Sequence, residues 1–170
     1  MKKKLVIPLV IVAALGVAGY TITTSSGGPT VVEGNLVNVD AAGVILEGYD
    51  AVAFFTDTAP VKGNPRFRSR WQGAIYQFAS AEHKSLFDTA PSRYAPQFGA
   101  YCALAVSLGR TAPIRIDTWS IVDGRLVLQH NARAVRLWNN DPSGNLRFAD
   151  EYWPRVVASG GEQVDVPQRY

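Results

Sequence analysis

One cysteine and two histidines carry most of the metal-binding and nucleophilic chemistry that this sequence offers. Cys102 lies in an apolar run at residues 99–106, with His83 before that run and His130 after it. Thiolate and imidazole are the ligands that copper(I) prefers, and two or three of them satisfy that ion. A four-ligand Cys/His zinc site cannot be assembled from this set in one chain. The sequence therefore predicts a sparse site for copper or another soft transition metal, with Cys102 and His83 as the main ligands and His130 and Asp50 as further candidates.

The same side chains also fit two other interpretations. A cysteine in an apolar run is commonly a small buried hydrophobic residue, and an inward-facing histidine is commonly a hydrogen-bonded core residue. A thiol-dependent enzyme is the second alternative, with Cys102 as nucleophile and His83 as base. That chemistry requires contact between the two side chains, a lowered thiol pKa and an accessible pocket.

The common catalytic and nucleotide-binding spacings are absent from the sequence. It contains no CxxC, HExxH, GxGxxG or GxSxG pattern and no phosphate-binding GxxxxGK[ST] loop. We therefore assign no catalytic residue from the sequence. A binding or accessory protein is favoured over an enzyme.

A short helix is expected to position His83. Ser80 is a typical N-cap residue, and the pattern that follows it predicts a helix over residues 81–89. His83, Leu86 and Phe87 are spaced i, i+3 and i+4 along this helix and so share one face. We expect that face, including the imidazole, to point into the protein.

The remaining pattern predicts an α+β fold, a compact single domain with short antiparallel β-hairpins and a few short helices, preceded by one N-terminal hydrophobic helix. Asp-Gly at positions 123–124, between two alternating apolar runs, favours a type I′ hairpin turn. The expected strands are 31–40, 43–47, 66–71, 74–78, 118–122 and 125–130, and the further helices are 132–139 and 143–153, the last ending before Pro154.

The amino end resembles an export signal. Lys2, Lys3 and Lys4 precede an apolar stretch that continues through residue 22. A bilayer-spanning helix needs about 17–25 residues, so this stretch predicts either a cleaved signal peptide or an uncleaved membrane anchor. Either form sends the rest of the chain to the periplasm or to the extracytoplasmic face of the inner membrane, because positive residues stay inside.

Four segments follow from this reading. Residues 1–22 are the signal peptide or signal anchor, 23–30 a polar Gly-rich linker, 31–157 the folded domain and 158–170 a flexible tail. If the leader is retained, residues 5–22 attach the protein to the membrane.

Charge gives little indication of a macromolecular partner. Three of the 17 basic residues belong to the leader, so the basic residues that remain equal the 14 acidic ones in number. A neutral body does not favour nucleic-acid binding. Arg66, Arg68 and Arg70 alternate along one predicted strand and share a face, which is either a solvated surface or a docking surface for a membrane protein partner without any metal.

Several separated motifs resemble the exported bacterial YHS-domain family, in the order that the family has them. They lie within residues 43–154 and read GYDAVAFF at 48–55, GAIYQFASAEHKSLF at 73–87, PSRYAPQFG at 91–99, YCALAVSLG at 101–109, WSIVDG at 119–124 and YWP at 152–154. The resemblance implies a compact α+β domain. It also implies an association with metals, by analogy with relatives that carry paired cysteines.

This sequence departs from the family pattern at three places. Residues 78–82 read FASAE where metal-handling relatives have cysteines, Gly99-Ala100 replaces the usual glycine pair, and His130 stands where asparagine is common. With those cysteines absent, the ligand candidates are Cys102 and His83, with His130 or Asp50 as a further candidate.

Overall fold

The structure is a computed structural model that describes residues 30–167 and 169. Its strands are β1 (Thr30–Val32), β2 (Asn35–Val37), β3 (Asn64–Trp71), β4 (Ala74–Phe78), β5 (Ser120–Val122) and β6 (Arg125–Val127). Its α-helices are α1 (Ala53–Thr56), α2 (Ala81–Thr89), α3 (Pro91–Tyr94), α4 (Ala103–Val106), α5 (Ala132–Trp138) and α6 (Pro142–Ala158). The α+β class with short hairpins and short helices is confirmed. The predicted N-terminal hydrophobic helix and leader lie outside the described residues.

The strands pair only with their sequence neighbours, as three antiparallel two-stranded hairpins. Each hairpin turns through two residues of the type X-Gly with positive φ, and these pairs are Glu33-Gly34, Gln72-Gly73 and Asp123-Gly124. Two consecutive residues with positive φ are the mark of the type I′ turn, which matches the natural twist of the strands it joins. The turn predicted at 123–124 is therefore confirmed.

The structure differs from the expected strands between residues 31 and 56. The turn at Glu33-Gly34 divides the first expected strand into β1 and β2, and residues 43–47 contribute only isolated bridges, from Val44 to Ile75 and from Val39 to Ile45. The chain then enters a short 3-10 turn with left-handed backbone at Leu46 and Glu47. That local twist prevents a continuous ladder.

One apolar core joins the hairpins to the helices. Its largest fully buried side chains include Trp138, Phe54, Phe78 and Phe87. Every residue of α4 is buried, and this helical turn packs against α6. The apolar run that contains Cys102 is thus buried, as its composition predicts.

Helix α6 continues past the expected stop. It runs through Pro154 to Ala158. Pro154 costs the helix one backbone hydrogen bond. Burial of Val156, which lies beyond it, stabilises the continued helix. No helix within residues 30–167 and 169 has the length and apolar character needed to cross a bilayer.

The segment after α6 also differs from the flexible tail expected there. The Val164 N–H donates to the Gly109 carbonyl at 2.8 Å, and the Val166 side chain is buried. Two apolar residues and a backbone hydrogen bond hold this segment against the loop after α4.

Candidate functional site

Among the residues that the structure describes, Asp50 is the only charged one that is buried. Its side chain is fully buried, in the loop that leads into α1. The Val52 N–H donates to Oδ1 at 2.8 Å, and the Ala79 N–H donates to Oδ2 at 2.7 Å. A buried carboxylate needs such partners, because water no longer solvates it. Asp50 therefore joins the start of α1 to the junction between β4 and α2.

His83 lies in the first turn of α2, next to this carboxylate. Its backbone N–H donates to the Ser80 hydroxyl at 3.1 Å, the N-cap bond that fixes where the helix begins. Its Nδ1 lies 2.7 Å from Asp50 Oδ2. Because a carboxylate only accepts hydrogen bonds, Nδ1 carries the hydrogen and donates it. In the neutral ring, Nε2 is then left with a free lone pair.

The Nε2 side of the ring faces the end of α1. Nε2 lies 3.4 Å from Thr56 Oγ1 and 3.8 Å from Asp57 Oδ1. The His83 side chain is 15% exposed, whereas that of Asp57 is 41% exposed. A buried carboxylate thus holds an imidazole whose other nitrogen sits among oxygen atoms at the surface.

This arrangement is chemically suited to binding a metal ion through one nitrogen. A carboxylate that accepts from the far ring nitrogen orients many metal-ligating histidines and makes them more basic. Metal bonds of about 2.0–2.2 Å to nitrogen and to carboxylate oxygen are compatible with two ligand atoms at this spacing. Among the residues that the structure describes, no group of three or more His, Cys, Asp or Glu side chains could hold a metal. Any ion here takes one or two side chains, and water completes its coordination.

Cys102 lies in a different environment, at the start of α4. Its side chain is buried, and its thiol donates to Gln129 Oε1 at 3.3 Å. The same oxygen accepts from the Leu104 N–H at 3.0 Å. Gln129 is also buried, and its Nε2 has no hydrogen-bond partner among the described residues.

Burial raises the pKa of the Cys102 thiol above its ordinary value. Backbone N–H groups, including that of His130, and the charge of Arg110 oppose this shift without cancelling it. A nucleophilic cysteine needs the reverse, a lowered pKa that populates the thiolate. The structure therefore gives Cys102 the properties of a protonated, buried thiol.

His130 lies at the surface near Cys102. Its Nδ1 is 3.0 Å from the Pro113 carbonyl oxygen, so Nδ1 donates and Nε2 is left as the acceptor of the neutral ring. Cys102 and His130 both line an open cavity of about 380 Å³ between α4 and α5. His83 and Asp50 do not line it.

The four predicted ligands thus form two pairs in the structure. Asp50 contacts His83, whereas Cys102 shares a cavity with His130. No hydrogen bond or ion pair among residues 30–167 and 169 joins one pair to the other. His83 and Cys102 are hydrogen-bonded to different partners, Asp50 and Gln129, and a copper(I) site that they share stays a prediction.

Two residues near these pairs were not singled out in the sequence. Asp57 follows α1, and its place beside His83 depends on how two short helices pack. Gln129 lies between Leu128 and His130, and strand alternation predicts that its side chain lies on the face opposite to theirs. The ladder ends at Val127, however, and Leu128 and Gln129 are both buried while His130 is exposed. Alternation therefore carries no information beyond that point.

The inward face predicted for α2 holds only in part. Phe87 is 1% exposed, whereas Leu86 is 37% exposed. His83 is largely covered because of its bond to Asp50.

Comparison with family models, curated proteins and solved structures finds no match to this chain. The resemblance to the YHS-domain family therefore stays a prediction from the motifs. Its consequences for function are proposals.

Proposed function

We propose that this protein is an exported binding protein of the YHS-domain type that binds a copper ion through His83. The observation that supports the proposal is the 2.7 Å contact between His83 Nδ1 and the buried carboxylate of Asp50. That contact fixes the ring and leaves Nε2 available at the surface. A histidine held in this way is pre-organised as a ligand, so little rotational freedom is lost when an ion binds.

The atoms around Nε2 favour copper(II) over copper(I). Thr56 and Asp57 present oxygen, and nitrogen with oxygen suits copper(II), which also binds most tightly among the divalent first-row metals. The soft ligand that copper(I) prefers is the thiol of Cys102, which is engaged with Gln129. Here His83 acts as the anchoring ligand, Asp50 orients it, and Asp57 offers a carboxylate oxygen.

A binding role agrees better with the thiol chemistry than an enzymatic role does. A thiol-dependent enzyme would use Cys102 as its nucleophile, and burial raises the pKa of that group. Its partner base would be His83, but the Cys102 thiol is hydrogen-bonded to Gln129, and no hydrogen bond in the described part of the chain joins it to His83. The raised thiol pKa and the missing hydrogen bond do not support thiolate catalysis.

Titration of the full chain with copper(II), against a competing chelator of known affinity, tests the proposal. We expect one equivalent to bind, His83→Ala to lose it, and the matched control His130→Ala to retain it. Asp50→Asn should weaken binding by about 10–100-fold, the usual effect of losing a carboxylate behind a ligating histidine. Circular dichroism of each variant ensures that only folded protein is compared. Equal binding by the wild type and His83→Ala would contradict the proposal.

Export is a separate part of the proposal, and the leader at residues 1–22 supports it. In intact cells whose outer membrane has been made permeable, added protease should digest the domain while cytoplasmic proteins survive. Digestion only after the inner membrane is broken would contradict export. Mass spectrometry of the mature chain then distinguishes a cleaved signal peptide from a retained anchor.

A further inference from the structure

We propose that the open cavity beside Cys102 is a binding site for a small organic monocarboxylate with an apolar body. The cavity has a volume of about 380 Å³ and lies between α4 and α5. It contains neither His83 nor Asp50, so this inference is independent of the proposed copper site. Pockets for small ligands commonly have about 300–1,000 Å³, mostly apolar walls and a few placed polar groups.

The charge of the lining determines the sign of the ligand. Arg110 and Arg133 both line the cavity, and both are exposed. Neither forms an ion pair with any residue in the described part of the chain, and no Asp or Glu of that part lines the cavity. Two cations without an acidic neighbour attract an anion, and arginine pairs well with a carboxylate because its planar fork matches the two oxygens.

The charge of Arg110 extends to the inner wall of the cavity. It is one of the influences that lower the pKa of the Cys102 thiol against the effect of burial. An anion bound near Arg110 therefore lies within electrostatic range of Cys102.

The rest of the lining determines the body of the ligand. The apolar residues are Leu104, Ala105, Leu108, Ala112, Ala134 and Leu137. Such a wall favours a hydrocarbon chain or ring over a fully hydrated inorganic ion. Charge and wall together favour a carboxylate at one end of a short apolar body.

Two further polar side chains, His130 and Asn131, line the same space. Asn131 lines the cavity and caps α5, because its Oδ1 accepts from the Ala134 N–H at 2.9 Å. That bond fixes the amide so that its NH₂ group is left as a donor, with no hydrogen-bond acceptor among the described residues. A carboxylate oxygen would give it one.

Cys102 provides a direct test, because it is the only thiol in the chain and lines the cavity. Iodoacetate and iodoacetamide should alkylate it by the same reaction, slowly because the thiol is buried and its pKa is raised, and the ratio of the two rates is independent of that pKa. The Sγ–carbon bond forms, iodide leaves and the thiol proton passes to solvent. Only iodoacetate carries a carboxylate. We expect the ratio of the iodoacetate rate to the iodoacetamide rate to exceed the same ratio for free cysteine by about tenfold, since a cationic cavity concentrates anions.

Variants assign this preference to the two arginines. Arg110→Gln and Arg133→Gln should each reduce it, and the double variant should return the ratio to that of free cysteine. Arg136→Gln is the matched control, because Arg136 lies on the same helix as Arg133 but does not line the cavity. A wild-type ratio equal to that of free cysteine, an equal loss in the control, or a thiol closed to both reagents would overturn the proposal.

Competition tests the ligand itself. Sodium octanoate should slow alkylation of the full chain by neutral iodoacetamide, whereas octanol and inorganic phosphate should not. Octanol lacks the charge of octanoate, and phosphate lacks its apolar body. Protection by phosphate equal to that by octanoate would show a general anion site and would overturn the proposal. So would protection that persists in the double arginine variant.

Discussion

The carboxylate of Asp50 connects the loop before α1 with the beginning of α2. At the scale of single residues, it combines full burial with hydrogen bonds from three backbone N–H groups and from His83. Removing an acceptor from such a position leaves buried donors without partners, which is more costly than losing an exposed ion pair. Asp50 is thus both the orienting group for His83 and a structural connection.

The substitution Asp50→Asn should lower the free energy of unfolding by about 2–4 kcal/mol, because the amide NH₂ replaces one of the two acceptor oxygens. Asp57→Asn is the control, since it makes the same chemical change at a side chain that is 41% exposed. It should change stability by less than about 0.5 kcal/mol. Urea unfolding of the three proteins measures both effects. Equal small losses would show that the Asp50 contacts contribute little.

The thiol of Cys102 should make stability depend on alkaline pH. Burial raises its pKa in the folded state above the ordinary thiol value of 9.0. The buried, protonated thiol stabilises the folded state fully at pH values below the thiol pKa of the unfolded chain. This stabilisation is lost as pH rises through the thiol pKa of the folded protein, because the unfolded chain releases the proton more readily.

Urea unfolding of the wild type and Cys102→Ser from pH 7 to pH 11 measures this effect. The stability of the wild type should fall relative to the variant above about pH 9, the ordinary thiol pKa. Both proteins share the lysine and tyrosine titrations, so these cancel in the difference between the two stabilities. A constant difference between the two across this range would contradict a raised thiol pKa.

At the scale of elements, the 3-10 turn Gln97–Ala100 passes close to β2. Gly99 has φ of +58°, and an added Cβ would lie 2.1 Å from the Leu36 carbonyl oxygen. Gly34 also has a positive φ, +78°, but nothing lies within 4 Å of the added atom. The two glycines thus separate the effect of backbone conformation from that of a steric clash.

We expect Gly34→Ala to lose about 1 kcal/mol, the cost of a left-handed backbone for alanine. Gly99→Ala should lose at least about 2 kcal/mol more, because the clash forces the turn away from β2. Thermal unfolding of both variants provides the comparison. Similar losses would mean that the turn and β2 separate easily.

The sequence predicts those elements whose ends carry local signals. Helix α2 has the predicted bounds because Ser80 caps it and Pro91 follows it, and Asp123-Gly124 makes its hairpin turn without help from other segments. The strand expected at 43–47 does not form, because Leu46 and Glu47 adopt a left-handed backbone that no local sequence signal predicts. Pro154 did not end α6, because burial beyond it outweighs one missing hydrogen bond.

The candidate site was predictable as a set of residues and not as an arrangement. Asp50, His83, Cys102 and His130 were named from their chemistry, but their pairing depends on how loops far apart in the sequence pack together. The cationic lining of the cavity gave no local signal either. Arg110 and Arg133 become neighbours of one space only when α4 and α5 are in place.

At the scale of the whole molecule, the two candidate sites have opposite character. The surface around His83 offers nitrogen and oxygen to a cation, with Asp50 and Asp57 nearby. The cavity beside Cys102 offers arginine and apolar side chains to an anion. Copper and a carboxylate should therefore bind without competing, and a chelator that removes copper should leave the preference of Cys102 for iodoacetate unchanged.

Electron paramagnetic resonance of the full chain loaded with one equivalent of copper(II) tests the central claim most directly, because nitrogen coupling identifies an imidazole ligand. We predict a tetragonal signal with coupling to one histidine nitrogen, lost in His83→Gln and retained in His130→Gln. A signal unchanged by His83→Gln, or one that disappears in His130→Gln instead, would contradict the assignment of His83 as the anchoring ligand.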